Sequence, residues 1–69
     1  MTLRLDRKLY TKAAVTATAE AFAGLARIQV TADDRYHVVE LSDPDPDVAD
    51  TIDREFANFA LAETIEGRR

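Results

Sequence analysis

The chain has 69 residues, no Cys, and a formal net charge of −4 from thirteen acidic and nine basic residues. This length allows one domain, residues 1–69, and without Cys neither disulfides nor a zinc–thiolate site can stabilise it. The acidic balance disfavours non-specific binding to nucleic acid or anionic membrane, and no apolar run approaches the roughly 20 residues that span a bilayer. Because the N-terminus lacks the pattern of a signal peptide, we expect a cytoplasmic protein.

The first third of the chain predicts a strand followed by a helix. Residues 2–6 alternate, with Leu3 and Leu5 on one side, which is typical of a half-buried strand. Thr11 offers a hydroxyl N-cap for a helix that begins at the next residue. Gly24 is placed to take the left-handed conformation that commonly ends a helix, so we expect the boundary there or slightly beyond.

The middle of the chain predicts a hairpin. Residues 27–32 form the second predicted strand and residues 36–41 the third, with a short polar break suited to a turn between them. Val38 and Val39 are adjacent, so both faces of the third strand carry an apolar side chain. This pattern favours a central position in the sheet.

The last third, residues 43–69, is predicted as one long helix. Pro44 and Pro46 forbid continuation of the preceding strand, and their fixed φ suits the first turn of a helix. Four acidic residues near this start would complement the positive end of the helix dipole: Asp43, Asp45, Asp47 and Asp50.

This predicted helix has two apolar stripes. The first is expected to dock on the domain's own core and consists of Val48, Ile52, Phe56 and Phe59. Leu61 and Ile65 fall on roughly the opposite side and form one strip with Ala57 and Arg54. A small domain needs only one buried stripe, so the second predicts a protein–protein contact. The alternative is that these are scattered surface apolar residues, which are common.

The element order is therefore β-α-β-β-α, an α+β class. A right-handed crossover leaves room for the third strand between the first two, which predicts a three-stranded sheet of order 1-3-2 with both helices on one face. This is a truncated ferredoxin-like arrangement that lacks the last strand. The first strand, with Leu3 and Leu5, is left as an unpaired edge that a second copy or an extended peptide would satisfy.

No residue pattern predicts catalysis, a cofactor or a metal, and we expect that the chain is not an enzyme. His37 is the only His and lacks a Cys or second His partner, so a partly buried or surface strand histidine is favoured over a ligand or a hydrolase base. Ser42 has no nucleophile-elbow context. The acidic loop near residue 45 lacks the Gly and the bidentate Glu that a calcium loop needs.

The sheet face away from the helices offers an alternative function. It is expected to show Arg4, Arg27, Gln29, Tyr36, Val38 and Glu40. RNA-recognition folds stack bases on aromatic side chains of such a face, so a nucleotide- or RNA-binding module is possible. One Tyr is fewer than these platforms use, and a solvated or partner-covered face is favoured.

Several short motifs resemble the His-Xaa-Ser system protein HxsD and its shorter relatives. The resemblance runs over residues 3–66 and rests on Leu5-Asp6-x-x-x-Tyr10-Thr11-x-x-Ala14, Ala21-Phe22, the hairpin, and the segment from Glu55 to Glu63. The family's aromatic-x-Leu-x-Glu signature matches Phe59, Leu61 and Glu63.

The resemblance implies an accessory role beside radical-SAM enzymes in a peptide-modification system, with no catalytic residues assigned. We therefore expect a small non-catalytic protein-binding module. Its partner would be a second copy, a radical-SAM maturase or a precursor peptide. The expected contact residues are Leu3, Leu5, Arg54, Ala57, Leu61 and Ile65.

Overall fold

A computed structural model of the protein describes residues 1–68. The elements in chain order are strand β1 (Thr2–Asp6), helix α1 (Lys12–Ala21), strands β2 (Arg27–Ala32) and β3 (Tyr36–Ser42), and helix α2 (Ile52–Gly67). The predicted α+β class and the β-α-β-β-α order are confirmed.

The three strands form one antiparallel sheet of order β1-β3-β2, which confirms the predicted topology. In the register, Leu5 lies opposite His37 and Ile28 lies opposite Leu41. Strand β3 is therefore the central strand, and β1 and β2 each have a neighbour on one side only. The arrangement is that of a ferredoxin-like fold without its last strand.

The core lies between the sheet and the two helices. It contains Leu5, Val39 and Leu41 from the sheet, Val15 from α1, Phe22 and Ala26 from the segment after α1, and Ile52, Phe56 and Ala60 from α2. The rings of Phe22 and Phe56 meet edge to face with centroids 5.3 Å apart, and this contact joins the two helices. Burying a large apolar side chain stabilises the fold by about 1.5–3 kcal/mol, so these few residues carry most of the stability of so short a chain.

Helix α1 begins as the sequence predicts. Thr11 is extended and its Oγ1 accepts a hydrogen bond from the backbone N–H of Ala14 at 3.1 Å. The helix buries Ala14, Val15 and Thr18. Capping by a Thr hydroxyl is worth about 1 kcal/mol, so this side chain both starts the helix and fixes where the preceding loop must end.

The predicted end of α1 at Gly24 is wrong. The helix ends at Ala21, and no glycine among the described residues has a positive φ. The backbone N–H of Phe22 bonds to the Thr18 carbonyl at 2.9 Å, and the N–H of Leu25 then bonds to the Phe22 carbonyl at 2.9 Å. Successive right-handed turns close the chain here, so no left-handed residue is needed.

The predicted start of α2 at residue 43 is also wrong, because the helix begins at Ile52. Residues before it form successive turns. The carboxylate of Asp45 accepts the backbone N–H of Asp47 at 2.9 Å, and the Asp45 carbonyl accepts the N–H of Val48 at 3.0 Å. Asp side chains compete with the helical pattern for backbone donors, which favours turns over a longer helix.

The acidic cluster consequently lies in the loop and not at the N-terminus of α2. The acidic residues in the first turn of the helix are Asp53 and Glu55. Asp43 has a φ of 49°, in the left-handed region that Asp tolerates better than most side chains. The chain therefore bends at Asp43 and enters the helix only after two further turns.

The buried stripe of α2 also differs from the predicted one. It has strict four-residue spacing and consists of Ile52, Phe56, Ala60 and Thr64. Each step of four residues rotates the buried face by about 40°, so by Ala60 the face has turned away from Phe59. Phe59 is 39% exposed and contacts the edge of Phe22 with centroids 5.6 Å apart. Val48 packs on the core from the loop.

Candidate protein-binding site

Strand β1 presents part of its backbone to solvent. The N–H of Leu41 bonds to the Met1 carbonyl at 2.8 Å, and the N–H of Arg7 bonds to the Arg35 carbonyl at 3.0 Å. In an antiparallel ladder, bonded and non-bonded pairs alternate, so the odd-numbered residues between these two pairs bond to β3. The even-numbered residues direct their N–H and C=O groups away from the sheet: Thr2, Arg4 and Asp6.

Most of these outward groups have no partner within residues 1–68. The Asp6 carbonyl is the exception, because it accepts the N–H groups of Leu9 and Tyr10 at 3.0 and 2.9 Å. The N–H and C=O groups of Thr2 and Arg4 and the N–H of Asp6 remain open. An exposed row of this kind is a template for an added strand.

The side chains of β1 point in two directions. Leu5 is buried, and Leu3 is partly buried against the same core. The outer face of the strand shows Arg4, which is exposed. A partner that pairs with this edge would therefore bond to the backbone of Thr2, Arg4 and Asp6, while Leu3 and Leu5 hold the strand against the core.

One flank of α2 faces away from α1 and toward the β1 side of the molecule. Helix α1 contacts β2, and Phe59 marks the side of α2 that meets α1. Ala57 and Leu61 lie about 160–200° around the helix from Phe59, on the other flank. Ala57 is partly buried against the core that Leu3 also contacts. The flank therefore begins at the edge of the core, at Ala57, and continues around the helix into solvent.

The exposed part of this flank is apolar. Leu61 and Ile65 are 41% and 51% exposed, which confirms that neither belongs to the core. Arg54 is exposed beside them, whereas Ala57 lies between them and the buried face. The structure thus divides the predicted strip. Arg54, Leu61 and Ile65 form the exposed surface, which we call the α2 strip, and Ala57 supports it.

A threonine that the sequence did not single out anchors this helix. The Oγ1 of Thr64 accepts the backbone N–H of Thr11 at 3.2 Å and donates to the Ala60 carbonyl at 2.9 Å. Near the helix end, Arg68 donates to the Lys8 carbonyl at 3.3 Å. These bonds tie the last turns of α2 to the segment between β1 and α1. The strip and the open edge are therefore held in a fixed relation.

His37 is more buried than the sequence predicts. The ring is 4% exposed, on the helix side of β3, and its Nε2 lies 3.0 Å from the carbonyl oxygen of Tyr10. A carbonyl can only accept, so Nε2 carries the proton of this bond. Ser42 lies five positions away on the same strand and so points to the opposite face. The two cannot form a nucleophile–base pair.

Two further findings bear on the class of site. Among residues 1–68, no group of three or more His, Cys, Asp or Glu side chains is arranged to hold a metal ion. No helix in the described part of the chain is long and apolar enough to cross a membrane.

Hydrogen bonds from the backbone N–H groups of Arg35 and Tyr36 lower the pKa of Asp33, whose carboxylate closes the hairpin turn.

The open sheet face has mixed charge. Arg4 lies beside Val38, and Glu40 lies between Thr2 and Gln29. The guanidinium of Arg35 lies over the Tyr36 ring, 5.8 Å from its centroid, in a cation–π contact. A face with interspersed acidic residues and one engaged aromatic ring offers less to a nucleic acid than the open edge of β1 offers to a strand.

Comparisons with family models, with curated proteins and with solved structures find no match to the chain. Its function is therefore inferred from the geometry of its own residues.

Proposed function

We propose that this protein is a small non-catalytic accessory module that binds another protein chain through the edge of β1 and the α2 strip. The observations that support the proposal are the open backbone of Thr2 and Arg4 and the exposed apolar side chains of Leu61 and Ile65. A strand from a partner would fill the position of the missing fourth strand and cover Leu61. Edge pairing and apolar burial would then act together.

A second copy of the chain is one partner that fits this edge. With a two-fold axis at Leu5, two β1 strands pair antiparallel so that Arg4 lies opposite Asp6 of the second copy. With the axis at Arg4, two arginines would face each other, and like charges directly opposite are destabilising. Opposite charges favour the first register. An interface of this kind is isologous, so each copy contributes the same surface and assembly stops at a dimer.

The resemblance to the HxsD-like family supports a second partner class. In that case the strand would come from a radical-SAM maturase or from a precursor peptide, and the protein would be a subunit of a peptide-maturation complex. The same edge and the same strip would be used, because the required contact is a strand beside β1 and an apolar group against Leu61 and Ile65.

Sedimentation velocity tests the surface directly. We expect the wild type to sediment as a dimer, alone or in a larger complex with its partner, and Leu61→Asp/Ile65→Asp to sediment as a monomer. Leu9→Asp is the matched control, because Leu9 is also an exposed apolar residue, at 59%, but lies in the loop between β1 and α1 and not on α2. Its replacement should leave the profile unchanged.

The backbone half of the site needs a second variant. Arg4→Pro removes an outward N–H without removing a bond to β3, a position at which an edge strand accepts proline. We expect it to weaken association by about tenfold or more. Identical monomer profiles for the wild type and all variants, with the same proteins co-purified from each, would contradict the proposal.

A further inference from the structure

A groove of about 360 Å³ lies between α1 and β2, on the other side of the molecule from the β1 edge. Its apolar lining includes Val15 from the helix and Val30 and Ala32 from the strand. Val30 is 38% exposed although it lies on the helix side of the sheet. The groove is therefore apolar along Val30 and Ala32, which the chain's own helix leaves uncovered, and its lining also includes Thr16, Thr31 and His37.

The outer edge of β2 runs along this groove. The N–H of Asp33 bonds to the Tyr36 carbonyl at 3.0 Å, so the odd-numbered residues of β2 bond to β3. The even-numbered residues Ile28, Val30 and Ala32 direct their backbone groups outward, and within residues 1–68 nothing pairs with them. The same residues carry the side chains on the helix side. Open backbone and apolar lining thus coincide at Val30 and Ala32.

The lining of the groove has positive charge at one end. Arg7 and Lys12 line it, and none of its described lining residues is acidic. The exposed carboxylate of Asp33, the residue after Ala32, lies at the same end and offsets part of this charge. The Arg7 guanidinium donates to the carbonyl of Asp33 at 2.7 Å, next to Ala32. This bond places the positive end of the groove at the Ala32 end of the strand.

We propose that this groove binds an extended acidic peptide segment, which adds to β2 as a fourth strand. An apolar side chain opposite Val30 would fill the groove, and an acidic side chain opposite Ala32 would reach Lys12 and Arg7. Side chains two positions apart share one face of a strand. The recognised pattern is therefore one apolar and one acidic residue with a single residue between them. The surface is separate from the β1 edge, and the inference does not depend on the proposed function.

A nuclear magnetic resonance titration with blocked synthetic peptides tests the proposal. Ser-Thr-Glu-Thr-Val-Thr-Ser places the acid before the apolar residue, as antiparallel addition requires, and Ser-Thr-Val-Thr-Glu-Thr-Ser suits parallel addition. We expect one of them to bind saturably and to shift the amide signals of Ile28, Val30, Ala32 and the first turns of α1. The control peptide Ser-Thr-Lys-Thr-Val-Thr-Ser, with the charge reversed, should bind at least about tenfold more weakly.

Two variants separate the charge from the backbone. Lys12→Glu should weaken binding by about tenfold or more and leave the fold unchanged, because Lys12 is exposed. Ala32→Pro removes an outward N–H and places a ring on the edge, and it should abolish binding. Ala32→Ser keeps the N–H and is its control. Leu61→Asp/Ile65→Asp should bind the peptide as the wild type does.

Three results would overturn the inference. The first is the absence of saturable binding of either acidic peptide to the wild type at millimolar concentration. The second is equal binding of the charge-reversed peptide, or equal binding to the Lys12→Glu variant. The third is binding of N-acetylglutamate with the same affinity and the same shifts as the peptides, because that would show a small carboxylate site without strand addition.

Discussion

The two edge strands of the sheet differ in what lies beneath them. Strand β1 has Leu5 buried in the core and Leu3 partly buried against it. Strand β2 has one partly buried residue, Ile28, and five exposed ones. Both strands bond to the same central strand in a continuous ladder. Backbone pairing is thus similar on the two sides, and the difference is in the burial of side chains.

The two edges therefore differ in how much they contribute to the core. Strand β1 contributes Leu5 to the core, so contacts made by its helix-side face also stabilise the fold. The β2 side contributes little to the core and leaves Val30 and Ala32 beside a groove. A partner at β1 would extend an already packed layer, whereas a segment at β2 would fill a space that the chain leaves empty.

The largest expected effect comes from matched truncations of the two edges. Leu5→Ala should lower the free energy of unfolding by about 2–5 kcal/mol, because it removes a buried side chain and leaves a cavity. Val30→Ala should lower it by less than about 1 kcal/mol, because that side chain is partly in solvent. Urea unfolding followed by circular dichroism measures both values.

A small domain has a stability margin of only a few kcal/mol, which is comparable to the loss expected for Leu5→Ala. Leu5→Val should lose less unfolding free energy than Leu5→Ala and stay folded, so its loss can be compared with that of Val30→Ala. Equal losses for Leu5→Val and Val30→Ala would show that the core is shared evenly between the two edges, contrary to the burial of these residues.

The two buried threonines allow a second comparison between the sides. Thr64→Val leaves the N–H of Thr11 without its partner and should cost about 1–3 kcal/mol. The Thr18 hydroxyl donates only to the carbonyl of Ala14, one turn back in its own helix, at 2.7 Å. Thr18→Val should cost under about 1 kcal/mol, because that carbonyl keeps its helical bond.

Thermal unfolding of the two valine variants measures the difference between their stability losses directly. Hydrogen exchange of the Thr11 amide adds an independent reading, since it should be faster in Thr64→Val than in Thr18→Val. A Thr18→Val variant that is the less stable of the two would contradict the role given to Thr64 as the anchor of α2.

The smallest effect is expected at the hairpin between β2 and β3. The pKa of Asp33 is lowered in the folded state from its usual value of 3.8 by backbone N–H donors. Its carboxylate therefore contributes stability above the unfolded pKa, and this contribution is lost as the pH falls through the folded pKa. Asp33→Asn should reduce the dependence of stability on pH in this acidic range.

Asp34→Asn is the matched control, because Asp34 is an exposed neighbour in the same turn. The slope of unfolding free energy against pH, measured for both variants below pH 5, tests this. We expect it to be smaller in Asp33→Asn than in Asp34→Asn. If Asp33→Asn shows the same slope as the wild type, the turn does not depend on the charge of this carboxylate.

Much of the fold follows from short-range patterns in the sequence. Alternation identified the strands, the Thr11 cap located the start of α1, and the handedness of the crossover gave the strand order. The start of α2 was misplaced because Asp45 bonds to the backbone locally, and proline is compatible with both a turn and a first helical turn. Competing local bonds of similar strength cannot be ranked from the sequence.

The site was only partly visible in the sequence. Helical periodicity separated Leu61 and Ile65 from the core, because the angle between residues on one helix is fixed. The alternation of β1 showed which side chains point inward but not which backbone groups point outward, since that depends on the register with β3. The groove beside Val30 depends on where α1 lies across the sheet, a long-range property that no local pattern contains.

A sheet with two unoccupied sides has a consequence for self-association at high concentration. If β1 of one molecule met β2 of the next, every addition would expose another free side, and growth would continue into filaments. Pairing of β1 with β1 of a second copy uses both open edges, so assembly stops at the dimer. The strands are only five and six residues long and carry Arg4 and Arg27, both features that oppose indefinite growth. A partner strand paired with β1 would therefore also prevent the β1-to-β2 pairing that leads to fibres.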